Sequence, residues 1–121
     1  MSTNKDTVRR YLDGFRTANS EQILSCLTED IEWTVFGWFH ITGKPAYASH
    51  ILEEGFVGSP ELTIVRLVEE DDVVMAELTG AAHRADGTVM RLSMAEVFVL
   101  RDGRIAERRA WVIELKNGDW T

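Results

Sequence analysis

The segment Ser93–Leu100, SMAEVFVL, sets one carboxylate in an apolar row. Side chains alternate between the faces of a strand, so Met90, Leu92, Met94, Glu96, Phe98 and Leu100 share one face. The Asp-Gly pairs in RDGR and ADGT predict tight two-residue hairpin turns on either side. Counting outward from them sets Glu96 opposite Arg109, Met94 opposite Trp111, and Glu77 opposite Glu96. The resulting row, Glu77, Glu96 and Arg109, can do acid–base chemistry, because one of two close carboxylates keeps its proton unless a cation neutralises it. Two readings stay open at this point. The row is a proton-transfer site in a pocket, or a structural ion pair at the wet mouth of the sheet. A bulge in either hairpin would shift the register by one residue and dissolve the row.

A second set of candidates lies in EWTVFGWFHITG. Trp33, Phe36, Trp38 and His40 fit a pocket wall or a lid, and equally a core and a subunit surface, because large aromatics dominate both kinds of contact. Met94 and Trp111 extend the same wall by the register above. His40 is a candidate general base or a solvated loop histidine. His50 falls on the exposed or rim side of a helix, and His83 near a sheet edge. The three histidines have no metal-ligand spacing, and neither HxxxH nor CxxC occurs. The expectation is no metal and no cofactor. The glycines lie in turns and form no phosphate loop. Cys26, the single cysteine, excludes an intrachain disulfide and reads as a small buried hydrophobe.

These residues need elements to position them. Val8, Tyr11, Leu12 and Phe15 make one apolar helical stripe, with Thr3 and Asp6 as a capping pair. Asn19 with Gln22 starts a second helix, and DIEWTVFGW is β-rich. A third helix begins near Pro45, buries Tyr47, Ile51 and Leu52, and ends at Gly55 or Gly58. Four strands follow, at Glu61–Glu70, Val73–Arg84, Thr88–Leu100 and Ile105–Leu115. Helices gathered before an antiparallel meander predict an α+β domain with the helices on one face of the sheet. The other face would carry Ala95, Val97, Val99, Ala110 and Val112, with Arg91 and Arg108 among them. A face this apolar predicts a homodimer through the sheet.

The chain has 121 residues, 45% hydrophobic and 27% charged, which suits a single globular domain over residues 1–121. A formal net charge of −7 argues against nucleic acid or an anionic membrane as partner. MSTNKDTVRR is polar with no apolar run behind it, so the expectation is a cytoplasmic protein without signal peptide or membrane span. The tail KNGDWT is expected to fray unless Trp120 anchors it.

Read together, VRRYLDGFRTANSEQILSCLTEDIEW, ITGKPAYASHI and EVFVLRDGRIAERRAW resemble the nuclear transport factor 2-like superfamily. Within it the resemblance is to the ketosteroid isomerase-like and SnoaL-like polyketide cyclase branch. Scytalone dehydratase and limonene epoxide hydrolase share the fold. The resemblance implies a cone-shaped domain, in which N-terminal helices pack on a curved sheet around one apolar pocket. It also implies roles. Tyr11 matches the isomerase's oxyanion-hole tyrosine, and Glu96 its protonated aspartic acid. The isomerase's catalytic base position is occupied by Val35. Glu77, Glu96 and Arg109 are similar in composition to the two carboxylates and arginine of the epoxide hydrolases. The expected function is acid–base chemistry on a small apolar molecule (isomerisation, cyclisation, dehydration or epoxide opening), with Glu96, Glu77, Arg109 and Tyr11 as the catalytic set. The alternative is a binding module of the same fold without chemistry.

Overall fold

The computed structural model describes residues 4–52 and 61–116. Helices α1 (Asn4–Arg16) and α2 (Ser20–Ser25) lead into strands β1 (Leu27–Val35) and β2 (Phe39–Thr42), followed by helix α3 (Lys44–Leu52). Strands β3 (Glu61–Glu70), β4 (Val73–His83), β5 (Val89–Arg101) and β6 (Arg104–Leu115) complete the chain. The strands form one sheet in the order β2-β1-β6-β5-β4-β3. All neighbours are antiparallel except β1 and β6. The helices pack on one face of this curved sheet, which makes the α+β cone. The expected capping residue Thr3, the helix ends at Gly55 or Gly58, and Trp120 lie outside the described residues.

The helical stripe is buried as its spacing requires: Val8, Tyr11 and Leu12 join the core, with Phe15 packed against it. Asn19 caps α2, its side-chain oxygen accepting from the Gln22 N–H at 3.1 Å. Cys26 is fully buried at the end of α2. The aromatic segment folds back on itself as the β1–β2 hairpin, with Gly37 at φ +85° in the turn. Among the described residues no helix is long and apolar enough to cross a membrane.

The register departs from the expected one in both long hairpins. The Asp102-Gly103 turn is the predicted two-residue type, with both residues at positive φ, and Leu100 pairs with Ile105. Val99, however, pairs with Glu107, so β6 carries one extra residue there. From that bulge onward Glu96 faces Ala110, not Arg109, and Met94 faces Val112, not Trp111. The other turn spends three residues, Ala85 to Gly87. The Arg84 N–H bonds the Thr88 carbonyl at 2.8 Å, and Gly87 takes φ +90°. Glu96 therefore faces Ala76, while Glu77 faces Ala95 on the opposite side of the sheet.

The expected row of Glu77, Glu96 and Arg109 does not exist. Glu77 lies on the outer face and pairs with Arg66 at 3.1 Å. Arg109 also lies outside, 3.3 Å from Glu107. The composition of the outer face changes with the register. Ala110, Val112 and Arg108 turn inward, and Arg109, Trp111 and Ile113 turn outward. Ala95, Val97 and Val99 of β5 stay on the outer face as expected.

Candidate functional site

Arg108 and Glu96 are the charged pair of the inner face. Glu96 is 1% exposed and Arg108 9%. The pairing follows from the bulge, which sets Arg108 opposite Phe98 and diagonal to Glu96. Arg108 donates from Nε to Oε1 at 2.8 Å and from Nη2 to Oε2 at 2.9 Å, a bidentate fork. Its Nη1 donates to the hydroxyls of Tyr11 at 2.6 Å and Tyr47 at 3.0 Å. The two phenols also hydrogen-bond to each other. α1 supplies Tyr11, α3 supplies Tyr47, and the sheet supplies the ion pair, so helices and sheet meet through one polar knot.

Aromatic rings enclose that knot. The Trp33 ring lies 4.5 Å from the Arg108 guanidinium carbon, with Tyr11 and Phe15 at 5.4 and 5.6 Å. Trp33 and Arg108 are direct partners across the parallel β1–β6 pair, so their side chains leave the sheet together. Trp33 stacks on Tyr47 with centroids 4.5 Å apart. Burial is the largest single influence and disfavours the Arg108 cation, but the Glu96 charge, the two tyrosine oxygens and the hydrogen bond to Glu96 together outweigh it and hold its pKa well above the ordinary value. Burial pushes the Tyr11 phenol well up, against the opposing pull of Arg108, and raises Tyr47 for the same reason. Both phenols are therefore neutral hydrogen-bonding groups.

A cavity of about 300 Å³ opens beside the knot. This is near the lower end of the range for small-molecule sites. Its walls are mostly apolar and include Leu12, Phe39, Leu78, Met90 and Val112. Glu96 and Arg108 reach its surface, and His50 stands on its wall. Of the aromatic and sheet residues expected there, Trp33, Trp38 and Met94 line it. Phe36 and Trp111 do not. They stack on each other at 4.8 Å, both largely exposed. His40 is exposed on β2, its Nδ1 2.7 Å from the Thr34 hydroxyl. Tyr11 sits behind Arg108 and touches the cavity only through it.

Sequence reasoning missed Arg108, and no signal in the chain separates it from Arg109. The odd positions from Ile105 to Leu115 carry the larger apolar residues, so alternation pointed to the wrong parity. Tyr47 was legible as a buried residue of α3, but not its bond to a strand arginine distant in sequence. Among the described residues no group of three or more His, Cys, Asp or Glu is placed to hold a metal ion.

Two outcomes follow from this geometry. Glu96→Gln leaves a buried guanidinium without its charge partner, so unfolding free energy at pH 7 should drop by about 3–5 kcal/mol in denaturant titration. The double variant Glu96→Leu/Arg108→Met removes both charges and should keep stability near that of the parent, or raise it. The second outcome concerns alkaline pH. Tyr11 and Tyr47 are the only tyrosines of the chain, and both have raised folded-state pKa values. A raised folded value gives stabilisation that is complete below the unfolded pKa of about 10 and is lost as pH rises through the folded values. Phenolate absorbance near 295 nm should therefore appear together with the loss of circular dichroism, in one transition.

Comparison with known proteins agrees with the geometry of the fold. The chain superposes on a limonene epoxide hydrolase-like epoxide hydrolase of M. tuberculosis with a TM-score of 0.83 and 22% identity, covering 92% of this chain and 83% of that one. A protein of ketosteroid isomerase-like fold from Catenulispora acidiphila, solved with trimethylamine, gives 0.78 at 15% identity, covering 86% and 82%. TerC, co-crystallised with polyporic acid, gives 0.77 at 22% identity and covers 90% of each chain. At these identities the likeness is one of fold. Curated proteins give no match. The SnoaL-like domain model matches residues 8–108, and the chain belongs to that family.

Proposed function

We propose that the protein binds a small, largely apolar molecule bearing a neutral oxygen acceptor and performs acid–base chemistry on it. One observation carries this reading: a buried Arg108–Glu96 pair forms the polar end of an otherwise apolar cavity. A guanidinium has five N–H groups. Two of Arg108's go to Glu96 and two to the phenols of Tyr11 and Tyr47. The fifth has no partner among the described residues, and Arg108 lies on the cavity wall. Because Glu96 already balances the cation, a carbonyl, hydroxyl or epoxide oxygen suits it better than a second carboxylate. Set among mostly apolar walls, such a donor polarises the bound oxygen strongly. Isomerisation, cyclisation, dehydration and epoxide opening all begin from that polarisation.

The epoxide hydrolase and ketosteroid isomerase-like folds among the similar structures support an enzyme of this kind. In this reading Arg108 takes the part first expected of Arg109, Glu96 holds it, and Tyr11 and Tyr47 position it. Glu77 and Arg109 have no part. A second reading, a pocket that binds without chemistry, is favoured by one fact: both Glu96 oxygens are occupied by Arg108.

Fluorescence titration with the aromatic ketone 2-tetralone and its hydrocarbon tetralin tests the acceptor. The ketone should bind about tenfold more tightly, the worth of one hydrogen bond to a charged donor. The preference should vanish in Glu96→Leu/Arg108→Met, and equal binding by the parent would rule the acceptor out.

The outer face supports a homodimer through the sheet. Phe36, Trp111, Ile113 and Met75 are all exposed there, more apolar surface than a monomer comfortably presents. Sedimentation at micromolar concentration should show a species of twice 13.7 kDa. A single 13.7 kDa species would exclude the dimer.

A further inference from the structure

Glu96 cannot easily serve as the base of such a site, since each of its oxygens already accepts from Arg108. One other titratable side chain lies on the described wall of the cavity, His50. It stands near the end of α3, half-buried, and among the described residues its side chain packs against aromatic rings. Its imidazole meets the Trp33 indole edge-on at 5.1 Å and leans on Phe39 at 4.3 Å. Neither ring nitrogen has a hydrogen bond or ion pair with another described residue. The same Trp33 indole carries Arg108 at 4.5 Å. Imidazole and guanidinium thus touch the same indole and line the same cavity, so one bound molecule can meet both.

We infer that His50 is the proton-transfer group of the pocket, acting on a carbon next to the oxygen-bearing carbon held by Arg108. This rests on the reading of Arg108 as the acceptor's donor. The step balances without any co-reactant. An imidazole nitrogen takes the proton from the α-carbon of a bound ketone. The C–H electron pair becomes a carbon–carbon double bond, and the carbonyl π pair moves onto oxygen. The enolate oxygen rests against the fifth N–H of Arg108. The protonated imidazole then returns the proton to the same carbon, or to one conjugated with it, and the carbonyl re-forms. Imidazole suits this exchange because it can give and take a proton near neutral pH.

Hydrogen–deuterium exchange at the α-carbons of 2-tetralone in D2O, followed by proton NMR, reads this step directly. The parent protein should accelerate exchange over buffer. His50→Gln should reduce that acceleration at least tenfold, while ketone affinity by fluorescence stays within about threefold, in line with the usual contribution of a general base. Added imidazole should restore exchange in His50→Ala, a rescue that a merely structural histidine would not give. Parent-like exchange in His50→Gln overturns the assignment. So does a parent protein that prefers the ketone to tetralin yet leaves its exchange at the buffer rate, and in that case the ligand reading survives. Equal binding of ketone and hydrocarbon overturns both.

Discussion

The bidentate pair between Glu96 and Arg108 is the interaction on which the rest of this molecule is organised. Two opposite charges are held almost entirely out of water, at a desolvation cost that their attraction repays only when the geometry is good and the remaining donors are used. The structure meets that condition from three directions. The strands set the carboxylate against the guanidinium, α1 and α3 bring phenol oxygens to Nη1, and Trp33 covers the cation's face. α1 and α3 thus both contribute to satisfying the same arginine. Disturbing one partner leaves a buried charge exposed to no compensation, which ties the stability of the fold to the integrity of its polar centre.

The bulge in β6 decides which arginine takes this role. Arg108 and Arg109 are neighbours in a strand and must point to opposite faces. One extra residue after the Asp102-Gly103 turn sends Arg108 inward and Arg109 outward. It also sends Trp111 outward, where it stacks on Phe36, and turns the smaller Val112 toward the cavity. Had the indole taken that place, it would have occupied space that is now open. The bulge therefore furnishes the cation, keeps the cavity open and enriches the outer face in aromatic surface.

The cavity wall divides into two kinds of surface. Most of it is apolar side chain with no directional demand. The polar part is narrow: the Arg108–Glu96 ion pair, and one imidazole against two aromatic rings. This division is consistent with a fold that hosts different chemistries among relatives, since a few side chains can change while the packing that supports them stays.

The sequence by itself determined the helices, the four-strand meander and their layering, but not the short strand β2. The stripe Val8, Tyr11, Leu12 and Phe15 could only be the buried side of a helix, and the Asp-Gly turns could only join adjacent antiparallel strands. The apolar row that carries Glu96 was equally legible from its neighbours at every second position, but its burial was decided by the helices that cover that face. The partners of Glu96 were decided by tertiary structure. An Asp-Gly pair serves both a two-residue and a three-residue turn, and a bulge leaves no mark in composition, so the register was open by one residue at each end of β5. In a strand one residue is the whole difference between inside and outside. That step exchanged Arg109 for Arg108, moved Glu77 to the outer face, and brought Tyr47 from a distant helix into the site.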